Sequence, residues 1–360
     1  MKKRIEYLDW LRVIACLMVM LVHACEYYYC SHDHFIVSET NRWLVSFIDS
    51  FCRISVPLFF LISGYLLTPM AEDADYKSFI WKRFKRVMIP YFVFVVILCT
   101  LPLAWGGTHP KMAVRGLTHI FLNFPMQWGH MWFPYVLFGL YLFLPVISAW
   151  PRTASKKAEE WFLFAWFIAS CMPYISHYLG SLWGDCGWNR FNMLYCFNGY
   201  LGYFVLGHYL KTHFNWCRKA RLWGGLAFYI AGSIFTALTF FQQVTVGEPL
   251  PRSIEIGWDF VCPNILGATF GFFIFIEALF MKRPEDAAPK KVDILVGDIS
   301  KRSYGMYLMH MLYLNMFFNV FNPVMPTALA IPVIAVCAFI CSYITSKAIS
   351  LIPGGKYIVG

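Results

Sequence analysis

Charge is what this 360-residue sequence has least of. Only 14% of its residues are Asp, Glu, Lys or Arg, whereas 59% are hydrophobic and 19% aromatic; soluble globular chains carry about 25% charged residues. That shortage excludes a soluble domain and predicts an all-α, polytopic integral membrane protein. Acidic residues are scarcer than basic ones, 20 against 30, for a formal net charge of +10. Metal-type cysteine spacing is also missing: no C-x-x-C pair occurs among the twelve cysteines, so no metal site is expected. Cys16, Cys99, Cys171, Cys337 and Cys341 fall mid-span and read as small apolar packing residues, while Cys30 and Cys186 lie in outside connections and the sequence leaves their pairing open. No fixed-period repeat, low-complexity linker or appended soluble domain interrupts the chain. Its longest polar stretch is 282–302, so residues 1–360 are expected to form one membrane domain.

Long apolar runs are abundant. A hydrocarbon core about 30 Å thick takes about 20 residues per helical crossing, and ten segments fit: 8–29, 43–68, 87–105, 131–150, 160–179, 191–210, 222–243, 259–281, 303–322 and 328–352. The first is too long for a signal-peptide core and is followed by no small-residue cleavage site. Tyr7 and Trp10 at one end and Tyr27, Tyr28 and Tyr29 at the other suit interfacial anchors. Most Lys and Arg residues fall in alternate connections, including EDADYKSFIWKRFKR, PRTASKKAEE and KTHFNWCRKAR. The positive-inside rule then puts both termini in the cytoplasm, and the net charge reads as an orientation signal and a contact with anionic lipid rather than a nucleic-acid footprint.

The first span, LDWLRVIACLMVMLVHACE, nevertheless carries Arg12 and His23. Eleven residues at about 100° each return to within roughly 20° of the starting azimuth, so both lie on one helix face about 16 Å apart. Asp9 and Glu26 extend the stripe by a turn each way. A charged group at membrane depth costs about 3 kcal/mol even on lenient scales, so the stripe must face protein or a watered cavity. Further charges join it. FCRISVPLFFLISGYLLTP places Arg53 inside the second span, followed by Ser63 and Gly64, a small pair that permits either close helix approach or ligand contact with backbone. Lys82, Arg83, Lys85 and Arg86 cluster at the third span's cytoplasmic mouth, where arginine forks suit phosphate. In KMAVRGLTHIFLNF, Leu117, Ile120, Phe121 and Phe124 recur at helical spacing and predict a helix lying in the outer interface.

These segments together resemble the membrane acyltransferase-3 family. YLDWLRVIACLMVMLVH is similar to the family's opening LDxLR and Arg-x10-His pattern at Arg12 and His23, VPLFFLISGYLL to its second-span FFxxSG, and WKRFKRVMIPY to its RxxR-x3-P with Arg83 and Arg86. GHMWFPYVLFGLYLFLPVI resembles the HxWF-to-YLxxP fourth span, and DISKRSYGMYLMH the late motif ending at His310. The resemblance implies transfer of an acyl group, usually acetyl from acetyl-CoA, onto a hydroxyl of an exported or cell-envelope glycan or lipid-linked sugar, in the bacterial inner membrane. Acyl-CoA is then a donor substrate, and no cofactor is held permanently. His23 is the expected general base, with Glu26 orienting it. Arg12, Arg53, Arg83 and Arg86 are expected to hold CoA phosphates or neutralise charge from the cytoplasmic side, with Asp9, Ser63 and Gly64 beside them. His130, Trp132, Tyr304 and His310 are expected to line the site. Ser63 is not read as a nucleophile, because nothing in the sequence supplies it with a base. The alternative is a secondary transporter or flippase that binds substrate or protons on midplane Arg and His; no correspondence between residues 1–180 and 181–360 supports the paired halves common in that class.

Overall fold

The computed structural model describes residues 4–29, 35–120, 123–180, 191–251, 253–284 and 290–360, apart from the side chain of residue 192. Cys30, Cys186 and Phe121 lie outside the described residues. Fourteen α-helices are described: α1 (Glu6–Glu26), α2 (Glu39–Cys52), α3 (Ser55–Leu67), α4 (Tyr76–Arg83), α5 (Ile89–Thr100), α6 (Pro110–Thr118), α7 (Trp132–Thr153), α8 (Lys156–Tyr178), α9 (Leu201–Thr212), α10 (Arg218–Gln243), α11 (Pro263–Phe280), α12 (Lys291–Phe321), α13 (Thr327–Leu351) and α14 (Lys356–Val359). Among the described residues there is no strand, only an isolated bridge between Phe35 and Pro249. The protein is all-α and polytopic. Among the described residues, seven helical stretches are long and apolar enough to cross a membrane.

Polar side chains start several helices. Ser38 Oγ accepts from the Asn41 N–H at 3.1 Å, the Asp75 carboxylate from Lys77 and Ser78, and Ser155 Oγ from Ala158, each satisfying donors that a helix start leaves over. Prolines set two interruptions. Pro57 has no N–H to give the Arg53 carbonyl four residues back, and the expected span 43–68 divides there into α2 and α3, with Arg53 and Ile54 forming the turn between them. Pro90 likewise cannot donate to Arg86, and a π-helical turn over Phe84–Met88 joins α4 to α5.

Other expectations need correction. The segment 191–210 is not a continuous helix: a 3₁₀ turn at Asn192–Phe197 leads through Gly199, at φ +95°, into the 12-residue α9. The interfacial helix expected across Leu117 to Phe124 stops at Thr118, leaving Ile120 and Phe124 beyond its end. Tyr28 and Tyr29 are buried rather than splayed at an interface, and Tyr27 donates to Asn315 Oδ1.

What positions the site is α1, which packs against α2, α3, α11, α12 and α13. With neighbours on so many sides, its polar stripe has protein rather than lipid beside it. Polar contacts fix its first turns: Ser300 donates to Asp9 at 2.6 Å, Arg283 pairs with Glu6 at 2.6 Å and Asp293 at 2.7 Å, and Trp10 Nε1 donates to Asp293 at 3.0 Å. Burial alone pushes the Asp293 carboxyl up, but the hydrogen bonds from Trp10, Arg283 and the Lys290 backbone outweigh it and hold that carboxyl below its ordinary value. On the other side of α1, α3 crosses α9 backbone to backbone. A Cβ on Gly64 would lie 2.4 Å from the Phe204 Cα, and one on Gly207 2.4 Å from the Tyr65 nitrogen, so this crossing exists only with glycine at both positions.

Candidate active site

Two cavities open along the stripe of α1. The first, about 310 Å³, is lined by Asp9 and Arg12 from α1, Ser63 from α3, Arg83 and Arg86 from the α4–α5 junction, and Lys301 and Tyr304 from α12. It gathers four cationic side chains around one carboxylate. Asp9 is engaged: it accepts from Ser300 and from Arg4 Nε at 2.5 Å, with Arg12 3.6 Å away. Arg83 lies 5.3 Å from the Tyr141 ring centroid and 5.1 Å from that of Phe79, and among the described residues neither Arg83 nor Arg86 has a carboxylate partner. Ser63 donates to the Phe59 carbonyl, and Tyr304 to the Val87 carbonyl at 2.8 Å. A compact polyanion entering here would meet unpaired guanidinium groups already gathered.

The second cavity, about 730 Å³, lies toward the C-terminal end of α1. Glu26, Tyr29, Arg53, Trp132, Tyr200, Trp258 and Phe260 line it, together with Glu255 and Asp259. Its charges are arranged differently. Arg53, placed by the α2–α3 turn, is clamped by the fully buried Asp49 through Nε and through Nη2 at 3.1 Å; it also donates to the Tyr29 hydroxyl at 3.3 Å and lies 4.1 Å from the Trp258 ring centroid. Trp132 stacks on Tyr200 at 5.6 Å and on Phe260 at 5.7 Å. The result is an aromatic-walled, acid-rimmed chamber, chemistry that suits a polyhydroxylated ligand.

Between the cavities lie three histidines from three elements: His23 of α1, His130 just before α7, and His310 of α12. Ring centroids are 5.1 Å apart for His23 and His310, 5.1 Å for His130 and His310, and 6.3 Å for His23 and His130. His23 Nδ1 is 2.8 Å from Glu26 Oε2, and both side chains keep some exposure, 17% and 32%. His130 and His310 are buried. The Tyr307 hydroxyl donates to the His130 carbonyl, and His310 Nδ1 meets the Tyr307 carbonyl. A carbonyl only accepts, so His310 Nδ1 carries the proton and Nε2 presents a lone pair, which no hydrogen bond of good geometry engages; neither His130 ring nitrogen makes one either. The partition is short. Trp132 faces the aromatic cavity while Phe133, the next residue, lines the arginine cavity.

The structure thus brings Asp9, Arg12, Ser63, Arg83, Arg86 and Tyr304 together at one cavity, Glu26 and Trp132 at the other, and His23, His130 and His310 between them. It separates two residues from their expected company. Arg53 does not join Arg12, Arg83 and Arg86, because the turn carrying it lies beside Tyr29 at the opposite end of α1 and Asp49 occupies its guanidinium. Gly64 is not at a cavity wall; it is used by the α3–α9 crossing. Sequence reasoning missed Asp49, whose signal was an i, i+4 acid–base pair with Arg53, and Lys301, which sits inside the DISKRSYGMYLMH segment.

Comparison with known proteins agrees with this architecture. The chain is 25% identical to a Bacillus subtilis (strain 168) protein named "Putative membrane-bound acyltransferase YfiQ", in an alignment covering 99% of this chain and 94% of that relative. No solved structure matches. The model of the acyltransferase-3 family, described as an acyltransferase domain, matches residues 5–347, and the chain belongs to that family of membrane acyltransferases.

Proposed function

We propose that this protein takes an acyl group, acetyl in the first instance, from cytoplasmic acyl-CoA and transfers it to a hydroxyl of an exported or cell-envelope glycan or lipid-linked sugar across the bacterial inner membrane. The observation that carries the reading is the histidine cluster lodged between a cationic cavity and an aromatic one. The arginine cavity is the donor side, facing the cytoplasm with both termini, and Arg12, Arg83, Arg86 and Lys301 receive the CoA phosphates while the pantetheine arm runs toward the histidines. Its free guanidinium forks support that assignment. The aromatic cavity is the acceptor side, where Trp132, Tyr200 and Trp258 offer faces to a sugar ring.

Chemistry then falls to His23. With Nδ1–H donated to Glu26, Nε2 is the basic nitrogen and removes the proton as the acceptor oxygen attacks the thioester carbonyl. Collapse of the tetrahedral adduct breaks the carbon–sulfur bond, and the imidazolium returns its proton to the departing CoA thiolate, so the histidine ends as it began. His130, whose ring nitrogens make no hydrogen bond of good geometry, presents an N–H to the developing oxyanion, while His310, whose Nε2 offers only a lone pair, keeps the passage narrow. Arg53, locked by Asp49, adds a fixed positive field beside Glu26 rather than a phosphate site.

Membranes holding the wild-type chain, incubated with radiolabelled acetyl-CoA, should pass label into the glycan fraction, and membranes holding His23→Ala at equal abundance should not. A carrier would move its substrate without forming labelled ester; equal labelling by the variant would remove His23 from the mechanism.

A further inference from the structure

A second histidine-bearing cluster lies apart from both cavities, where the first turns of α8 meet the end of α9. Glu159 is fully buried and faces two imidazoles: His208 Nδ1 approaches its carboxylate at 3.0 Å and His213 Nε2 at 3.3 Å. One ligand atom from each of the three lies within 4.8 Å of the others. Among the described residues no Lys or Arg pairs with this carboxylate, which leaves a buried charge opposed only by groups that are neutral when unprotonated. Buried carboxylates are ordinarily paired or bound to metal. Glu159 Oε1, moreover, takes part in no hydrogen bond although both histidines stand beside it. The other carboxylate oxygen, Oε2, is hydrogen-bonded to His208 Nδ1 at 3.0 Å, a contact that a cation held among the three groups would replace. With ligand bonds of 2.0–2.1 Å, neighbouring donors around a tetrahedral zinc ion stand about 3.3 Å apart, close to the separations here.

We propose that Glu159, His208 and His213 form a binding site for a divalent cation of the zinc class. Two imidazole nitrogens and one carboxylate oxygen are a borderline donor set that favours zinc over magnesium or calcium. His208 is buried and His213 is 26% exposed, so the fourth position opens toward His213, where a water molecule completes the shell. The ion neutralises Glu159 and ties α8 to α9. Because α9 is locked to α3 by Gly64 and Gly207, and α3 carries Ser63 at the arginine cavity, the metal acts on the stability of that wall and not on the reacting atoms.

The test uses the full-length chain in lipid nanodiscs, purified through a tag without histidine and stripped with a chelator. Zinc chloride titrated against a chromophoric chelator should load about one ion per chain, and cobalt chloride should give the visible absorption bands of tetrahedral coordination. Glu159→Gln and His213→Ala should each weaken zinc binding by more than about a hundredfold, beyond the loss typical of changes to groups that only support ligands, while eluting as monodisperse protein. The partly exposed His213 supplies a decisive variant should Glu159→Gln fail to fold. Absence of zinc uptake by the stripped wild type, or equal uptake by wild type and His213→Ala, overturns the site and leaves the cluster held by a shared proton.

Discussion

The two cavities beside the histidines differ in the sign of their charge and in its commitment. In the arginine cavity, Arg83 and Arg86 keep their guanidinium groups unpaired with acid, so binding free energy toward an anion is held in reserve. In the aromatic cavity, Arg53 is already bound by Asp49, Tyr29 and the Trp258 face, and the available surfaces are rings and carboxylates. An arginine is thus a ligand site or a structural strut according to whether its partners come from the same chain. A buried pair such as Arg53 and Asp49 contributes chiefly by being unbreakable, since losing one partner strands the other charge.

That contrast can be attacked from its shared boundary outward. His23→Ala removes the proposed base between the two cavities and should lower acyl transfer by about a hundredfold or more at unchanged abundance, measured as label in glycan per unit of protein. Arg83→Ala combined with Arg86→Ala should raise KM for acetyl-CoA by about tenfold or more and leave KM for the acceptor unchanged; a rise for the acceptor instead would exchange the roles of the cavities. Trp132→Leu should do the converse and more weakly, raising acceptor KM a few-fold with the donor unaffected. The smallest effect belongs to neither cavity. Asp293→Asn loosens the contacts of α12 with Trp10 and Arg283 and should lower Tm by a few degrees at neutral pH. Because the Asp293 carboxyl is held below its ordinary value, its contribution is present above about pH 4 and fades as pH falls through the lowered value, so the Tm difference between wild type and variant should vanish in acid.

Much of this was legible in the chain. The alignment of Asp9, Arg12, His23 and Glu26 follows from the helical period alone, and the structure adds that α1 is surrounded. The resemblance implied that His130, Trp132, Tyr304 and His310 line the site, but not that His130 and His310 meet His23 while Trp132 and Tyr304 go to different cavities, because that follows from where α1, the start of α7 and α12 converge. Arg53 was legible as a buried charge and misjudged in depth: α3 runs opposite to α1, so a residue early in the second span lies beside the late residues of the first. Gly64 offered two readings, and only the 2.4 Å approach to Phe204 chooses packing. The Glu159 cluster had little linear signal, since Glu159 lies 49 residues from His208; only the H-x4-H spacing of His208 and His213, within the range of zinc-binding histidine pairs, pointed to it. Pro57 and Pro90 were in plain view; reading their missing N–H groups against the residue four back would have located the breaks at Arg53 and Arg86.

The most direct measurement is sidedness. Purified protein reconstituted in sealed proteoliposomes of known orientation is given radiolabelled acetyl-CoA on the side of Arg83 and Arg86, with the glycan acceptor confined to the other side. A histidine cluster joining two opposed cavities predicts labelled acceptor under this arrangement and none when the two compartments are exchanged. Labelling only when donor and acceptor share one compartment would contradict it.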